Sequence, residues 1–391
     1  MPLKDEILAF ADDMRSWRRD IHAHPETAFE EKRTADVVAE KLTSFGIEIH
    51  RGLATTGVVG TLTSGSSNRA IGLRADLDAL DVQEQNGFAH RSIHDGKMHA
   101  CGHDGHTAML LGAARYLSET RRFNGTVRFI FQPAEENEAG GRVMCEEGLF
   151  DLFPVEAVYG MHNQPGLPLG KFGVRAGPAM ASADMFTITV SGKGSHAAHP
   201  HQGEDPLVTG AEIVTALQRI VSRATSPLEA AVVSVTQFHS GTTMNVIPET
   251  AVIKGTCRAL SREVRDTIEA RMNRVSAGIA AAHGMEAEVI YERRYPVLVN
   301  TEEETEQSTR AAIAVVGAEN VFTDHPPTMG SEDFAWMLQE RPGCYIRVGN
   351  GEGEDGGCVV HNPNYDFNDK AAVYGASYWA ELVEQQLPLN P

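Results

Sequence analysis

The segment His99-Ala-Cys-Gly-His-Asp-Gly-His106 gathers three histidines, a cysteine and an aspartate into eight positions. Gln132-Pro-Ala-Glu-Glu136, Met161-His162-Asn163 and Val360-His361-Asn362-Pro363 add carboxylates and imidazoles further along the chain. Thiolate, imidazole and carboxylate are the donors that hold Zn and similar first-row ions. Cys101 and His103 stand two apart, a spacing that on a looping backbone can serve one pocket or two neighbouring ions. A closed structural zinc site more often carries paired Cys-x-x-Cys motifs, and the chain has none. Adjacent carboxylates on an extended backbone point to opposite sides, so of Glu135 and Glu136 one can bind metal while the other faces substrate and water. Because a metal lowers the pKa of water from about 15.7 towards 7, a carboxylate beside it is placed to act as general base. The combination is the equipment for hydrolysing an amide.

The elements that carry these residues follow from periodicity. Residues 5–45 have helical spacing, with Leu8, Met14, Trp17 and Ile21 inward, a break at His24-Pro25 and a stop at Gly46. Gly57-Val-Val-Gly-Thr-Leu, Ala70-Ile-Gly-Leu-Arg-Ala-Asp76 and Gly125-Thr-Val-Arg-Phe-Ile-Phe131 read as strands, with Glu135-Glu136 just past the last. A helix is expected from Thr107, with His103-Asp104 capping it as the alternative role for those two side chains. Ala157-Val-Tyr-Gly-Met161 is a strand with His162 at its tip, and Cys344-Tyr-Ile-Arg-Val-Gly349 precedes the His361 loop. Taken singly, each of these histidines is more often a hydrogen-bonded loop residue; their recurrence after strands favours ligands. Asp76-Leu-Asp78 reads either as support for ligand imidazoles or as a helix-capping turn.

Strands alternating with helices predict an α/β fold with a mixed, largely parallel sheet, which binds ligands beyond the carboxyl ends of its strands. From Asp184 the texture changes to β-α-β-β-α-β, a ferredoxin-like α+β unit inserted into the first. The expected division is residues 1–183 with 296–391 as the metal-binding catalytic domain and 184–295 as the insertion. At 391 residues, two domains are also what chain length predicts. A net charge of -19 argues against nucleic acid and anionic lipid as partners. No signal peptide or membrane span is apparent, and five scattered cysteines read as reduced thiols, so the expected location is the cytoplasm.

Over nearly its whole length the chain resembles the dinuclear metallo-amidohydrolases that include hippurate hydrolases, indole-acetyl-amino-acid hydrolases and related N-acyl-amino-acid deacylases. The matching segments are Leu73-Arg-Ala-Asp-Leu-Asp-Ala-Leu80, Lys97–Thr107, Phe129–Glu136, Gly177–Asp184, Gly192–Ala198, Asn245-Val-Ile-Pro248, Gly330-Ser-Glu-Asp-Phe334 and His361–Asn368. The resemblance implies a zinc-exopeptidase-like fold whose insertion is a lid that mediates homodimerisation. It implies Cys101, His103, Glu136, His162 and His361 as ligands to two divalent ions per subunit, Zn or Mn with Co or Ni as alternatives, Cys101 bridging them. Glu135 inherits the role of general base. His196, reaching a neighbouring active site, and Asn245 would hold the oxyanion, and Arg258 the substrate carboxylate. The implied substrate is a small N-acyl amino acid, with metallo-aminopeptidase or carboxypeptidase action on small peptides as the alternative. The chain departs from the pattern at His199 and His201, where relatives commonly carry one apolar residue before Pro200, and at Asn137-Glu138, where they carry small residues. Asp76 stands where wider relatives place a metal-binding histidine.

Overall fold

Ala70–Asp76 is buried from its second residue onward, as a strand covered on both faces must be. In the computed structural model, which describes residues 3–389, it lies near the middle of an eight-stranded sheet. The spatial order is Glu48–Arg51, Val58–Ser64, Gly125–Gln132, Ala70–Asp76, Ala157–Pro165, Gly343–Gly351, Phe172–Gly173 and Val321–Phe322. The four strands from Gly125–Gln132 to Gly343–Gly351 run parallel, and the antiparallel neighbours lie outside them. Register then decides what converges: Asp76 pairs with Gln132, Arg74 with Gly160, and Arg347 with His162. Asp76, Gln132 and His162 therefore stand at one level, where parallel strands present their carboxyl ends together.

One helix fixes the entry to that edge. His103–Thr120 is apolar around most of its circumference and buried along most of its length, the pattern of a helix inside a core rather than on a surface. It packs against helices Ala11–Ala23 and Ala371–Gln386 and against Ala70–Asp76. Gly112 permits the approach of Ala11–Ala23, since a Cβ there would sit 2.2 Å from Met14 Sδ. The start of the helix is tied down by charge. Asp104, fully buried, accepts from His22 Nδ1 at 2.8 Å and lies 3.6 Å from Arg18, which also pairs with Asp366 and Asp369.

The chain divides into two units. One takes the chain up to Gly177, Val299–Pro326 and the chain from Asp333 on; the other takes Pro178–Leu298 and Pro327–Glu332. In the second, strands Ser182–Ser191, Ala231–Ser240, Thr250–Ala259 and Glu286–Tyr295 alternate with helices Pro206–Arg219 and Arg262–Ala282 in the order β-α-β-β-α-β. The sheet order places Ser182–Ser191 and Thr250–Ala259 inside, all neighbours antiparallel, the ferredoxin-like arrangement. Alternate residues Phe186, Ile188 and Val190 are buried with Ile213, Leu217, Ile268 and Met272 from the helices. Among the described residues no helix is long and apolar enough to cross a membrane.

Several local expectations need correction. Ile7, not Leu8, is the buried residue of the first turn, because a break at Phe10 separates Asp5–Ala9 from Ala11–Ala23 and changes the inward phase. The buried helix begins at His103, four residues before Thr107, and Gly102 rather than a polar side chain occupies its N-cap. His162 lies within Ala157–Pro165 rather than at its tip, because Gly343–Gly351 continues to pair with it.

Candidate metal centre

Cys101 and His103 are held apart by a turn that only glycine fits. Gly102 has φ +98°, and a Cβ there would meet Asn163 Oδ1 at 2.4 Å and Tyr365 Oη at 2.5 Å. His361, from far along the chain, is brought in by its backbone N–H, which donates to Ala100 O at 2.7 Å, with His361 itself at φ +64°. Such a conformation is uncommon for a side chain of this kind and persists where surrounding contacts impose it.

Two groups of donors result. The ligand atoms of Cys101, His103 and His162 lie within 4.8 Å of one another, and so do those of Cys101, Glu136 and His361. Cys101 belongs to both. Its Sγ is 3.3 Å from His162 Nε2, and Glu136 Oε1 is 3.1 Å from His361 Nε2. His103 Nε2 is buried with no hydrogen-bond partner, although buried polar atoms nearly always have one. The far nitrogens are occupied: His103 Nδ1 faces Asp78 O at 2.9 Å and Asp78 Oδ1 at 3.1 Å, and His162 Nδ1 faces Asn163 O at 2.6 Å. An imidazole that donates from Nδ1 keeps its Nε2 lone pair for a cation, the usual second bond of a ligand histidine. The donor set therefore fits divalent first-row ions, and the shared thiolate fits a pair of them.

Electrostatics point the same way. Burial and the Glu136 charge push the Cys101 thiol above its ordinary range, and burial pushes His162 well below its own. Hydrogen bonds to Cys101 and Glu136 raise His361 to about 10. A proton held among these three groups is what a cation displaces, so affinity weakens as acidity rises. Asp76, His103 and His106 form a further close group. It is support rather than a third site, since His106 spends one nitrogen on Asp76 Oδ1 at 2.6 Å and the other on Asn163 at 2.7 Å.

The expected opposite pointing of Glu135 and Glu136 is not what the chain does. Both lie in the loop after Gly125–Gln132, a turn beginning at Glu136, and each contributes an oxygen to one group with His103, all within 4.8 Å. Glu135 is 6% exposed, and its Oε1 accepts from Asp333 N at 3.3 Å. Asp333 is in turn held by Arg74 Nη2 at 2.9 Å, by Gln132 Nε2 at 2.8 Å and by Gly141 N at 2.7 Å. The same guanidinium donates to Asp76 Oδ2 at 2.7 Å and Gln132 Oε1 at 2.9 Å. Sequence assigns no role to Arg74 or Asp333, whereas Asp78, one of the two aspartates read as support for ligand imidazoles or as a capping turn, takes the supporting place against His103 Nδ1. One signal existed: a lone arginine in an apolar strand buried on both faces must find a buried counter-charge.

The remaining candidates lie in the second unit. His196 pairs with Val246 across a short antiparallel ladder, and Ala197 N donates to Asn245 O at 3.0 Å, so His196 and Asn245 are neighbours. Ala198 N donates to His196 Nδ1 at 3.0 Å, which puts the neutral ring's proton on Nε2. Arg258 lies on Thr250–Ala259 with its guanidinium turned to Thr256 Oγ1 and Cys257 O, and burial lowers its pKa.

Comparison with known proteins identifies the family. Residues 72–385 match Peptidase family M20/M25/M40, and the chain belongs to that family. It is 40% identical over 387 residues to a hippurate hydrolase from Campylobacter jejuni, covering 99% of this chain and 100% of that one. An N-acyl-L-amino acid amidohydrolase from Geobacillus stearothermophilus is 44% identical over 307 residues, covering 77% of this chain and 82% of its own. A Bacillus subtilis crystal structure, described as a dinuclear metal binding peptidase from the M20 family, superposes with a TM-score of 0.85 at 37% identity, covering 97% and 99% of the two chains.

Proposed function

We propose that this member of the M20/M25/M40 peptidase family is a dinuclear metallohydrolase that cleaves the amide of small N-acyl amino acids, giving a carboxylate and a free amino acid. The observation that carries the proposal is the buried Glu135 beside two donor groups that share Cys101. Cys101, His103, Glu136, His162 and His361 would hold two ions, Zn or Mn, with Co or Ni as alternatives. Such ions supply Lewis acidity, polarising the acyl carbonyl and easing deprotonation of water. Glu135, steadied by the Asp333 N–H, takes the proton of the attacking water and returns it to the leaving nitrogen. His196, its proton on Nε2, is the donor to the developing oxyanion, with Asn245 beside it. Arg258 would take the substrate carboxylate after a rotamer change that frees it from Thr256 and Cys257. A homodimer in the cytoplasm completes the proposal, the insertion serving as lid and dimer contact.

A free-amine release screen over N-acetyl and N-benzoyl amino acids against dipeptides, after loading with each metal, tests the substrate class. Faster turnover of dipeptides would make this chain a peptidase instead. Glu135→Ala should keep its metal and lose at least ~100-fold in turnover. Full activity in that variant removes Glu135 from the chemistry.

A further inference from the structure

Outside the donor set, two buried carboxylates grip the backbone of the loop that carries Glu135 and Glu136. Asp78 Oδ2 accepts from Glu136 N at 2.9 Å, and Glu31 Oε1 accepts from Ala134 N at 2.9 Å. Glu31 is 0% exposed, and its second oxygen accepts from Thr56 Oγ1 at 2.6 Å. Ala134 stands at φ +56°, a left-handed conformation that L-residues resist. Its carbonyl accepts from Gly140 N at 2.9 Å, so both of its peptide groups are pinned. Glu135 follows directly. The direction in which it leaves the strand end is therefore decided at Ala134, and the Ala134 N–H is decided by Glu31.

We propose that Glu31 is a positioning residue for Glu135, holding Ala134 left-handed so that the following carboxylate faces the Cys101 donor groups. This rests on the reading of Glu135 as general base. A hydrogen bond from a backbone N–H to a buried carboxylate is among the stronger kinds, and it opposes the relaxation of Ala134 to an ordinary conformation. Burial, partly opposed by the bond from Thr56, pushes the Glu31 carboxyl up to about 7. The fold thus keeps an acid where apolar surroundings disfavour its charge, and a merely space-filling residue would not need one.

The test compares Glu31→Ala, Glu31→Gln and Glu31→Ala combined with Ala134→Gly in the full chain. In Glu31→Ala, kcat should fall about 10- to 100-fold, the scale of a misplaced catalytic group, with metal content and melting temperature showing the protein folded and loaded. KM should change by less than about twofold, because binding of substrate is not what is lost. Glu31→Gln keeps an acceptor for Ala134 N and should retain most of the activity. The double variant should recover part of the loss, since glycine adopts the left-handed conformation freely. Amide exchange at Ala134 in metal-stripped protein gives a readout independent of turnover, and protection there should drop in Glu31→Ala. Wild-type kcat despite lost protection overturns the proposal. So does equal damage in Glu31→Gln, or a loss of kcat that metal release or unfolding accounts for. Glu135→Ala, measured alongside, separates the readings: activity surviving in that variant defeats the base assignment itself, whereas an inactive Glu135→Ala beside an unimpaired Glu31→Ala defeats only this one.

Discussion

Replacing Arg74 by methionine should be among the most damaging single changes in the first unit, and its size can be worked from contacts. The guanidinium is fully buried and donates to Asp76, Asp333 and Gln132 at 2.7 to 2.9 Å. Methionine fills much of the volume and removes the charge, leaving two buried carboxylates, Asp76 at the end of its strand and Asp333 at the start of helix Phe334–Glu340. Asp76 keeps His106 at 2.6 Å, and Asp333 keeps Gln132 and Gly141, so neither is stripped of every partner. Breaking a buried pair from one side costs roughly 3–5 kcal/mol. Against a total stability of about 5–15 kcal/mol, that is a large share. For a unit of this size about 2–4 °C is lost per kcal/mol, which gives a drop of roughly 6–20 °C. Thermal melts of Arg74→Met, Asp333→Asn and the double variant make the assay, with urea titration to compare slopes. The double variant should be less damaged than the sum of the singles, because neutralising Asp333 removes one of the two charges left unpaired. A shift below about 2 °C in Arg74→Met, or strict additivity, would refute the claim that this guanidinium neutralises both carboxylates.

Three further outcomes follow from other contacts. Burial opposes the charge on His22, but Asp104 and Glu84 raise it from 6.5 to about 9, with Arg18 working against them. A raised pKa stabilises in full below about 6.5 and loses its effect as pH passes 9, so the stability gap between wild type and His22→Gln should narrow by roughly 3 kcal/mol from pH 6 to 9.5; a gap independent of pH would count against it. Asp78→Ala frees one face of His103 and the Glu136 N–H, so metal affinity in a chelator competition should fall about 10- to 100-fold, and unchanged affinity would dismiss Asp78 as a support. Gly102→Ala combines a φ of +98° with contacts of 2.4 and 2.5 Å. A loss of about 2–5 kcal/mol is expected from strain plus overpacking, together with lower metal retention on dialysis; a well-folded variant holding its full complement of ions contradicts it.

Donor chemistry belongs to residue types, and strand and helix periodicity to neighbours along the chain, so both could be read before any coordinates. Cys101, His103, the Glu135-Glu136 pair, His162 and His361 stood out by type and placement, the family resemblance alone assigning the metal to Glu136, and the β-α-β-β-α-β unit stood out by its alternation. The loop at Glu135-Glu136 could not be read that way, because Ala134 takes its left-handed conformation from Glu31, 103 positions earlier. Arg74 and Asp333 are 259 positions apart, and nothing local to either names the other. Which histidine nitrogen is free for a cation depends on partners such as Asp78 and Asn163 O, which only chain packing supplies. Sequence specifies which groups are present and on what kind of element. Distance, tautomer and desolvation arise when remote segments share a buried volume, and those three quantities turn a set of donors into a centre.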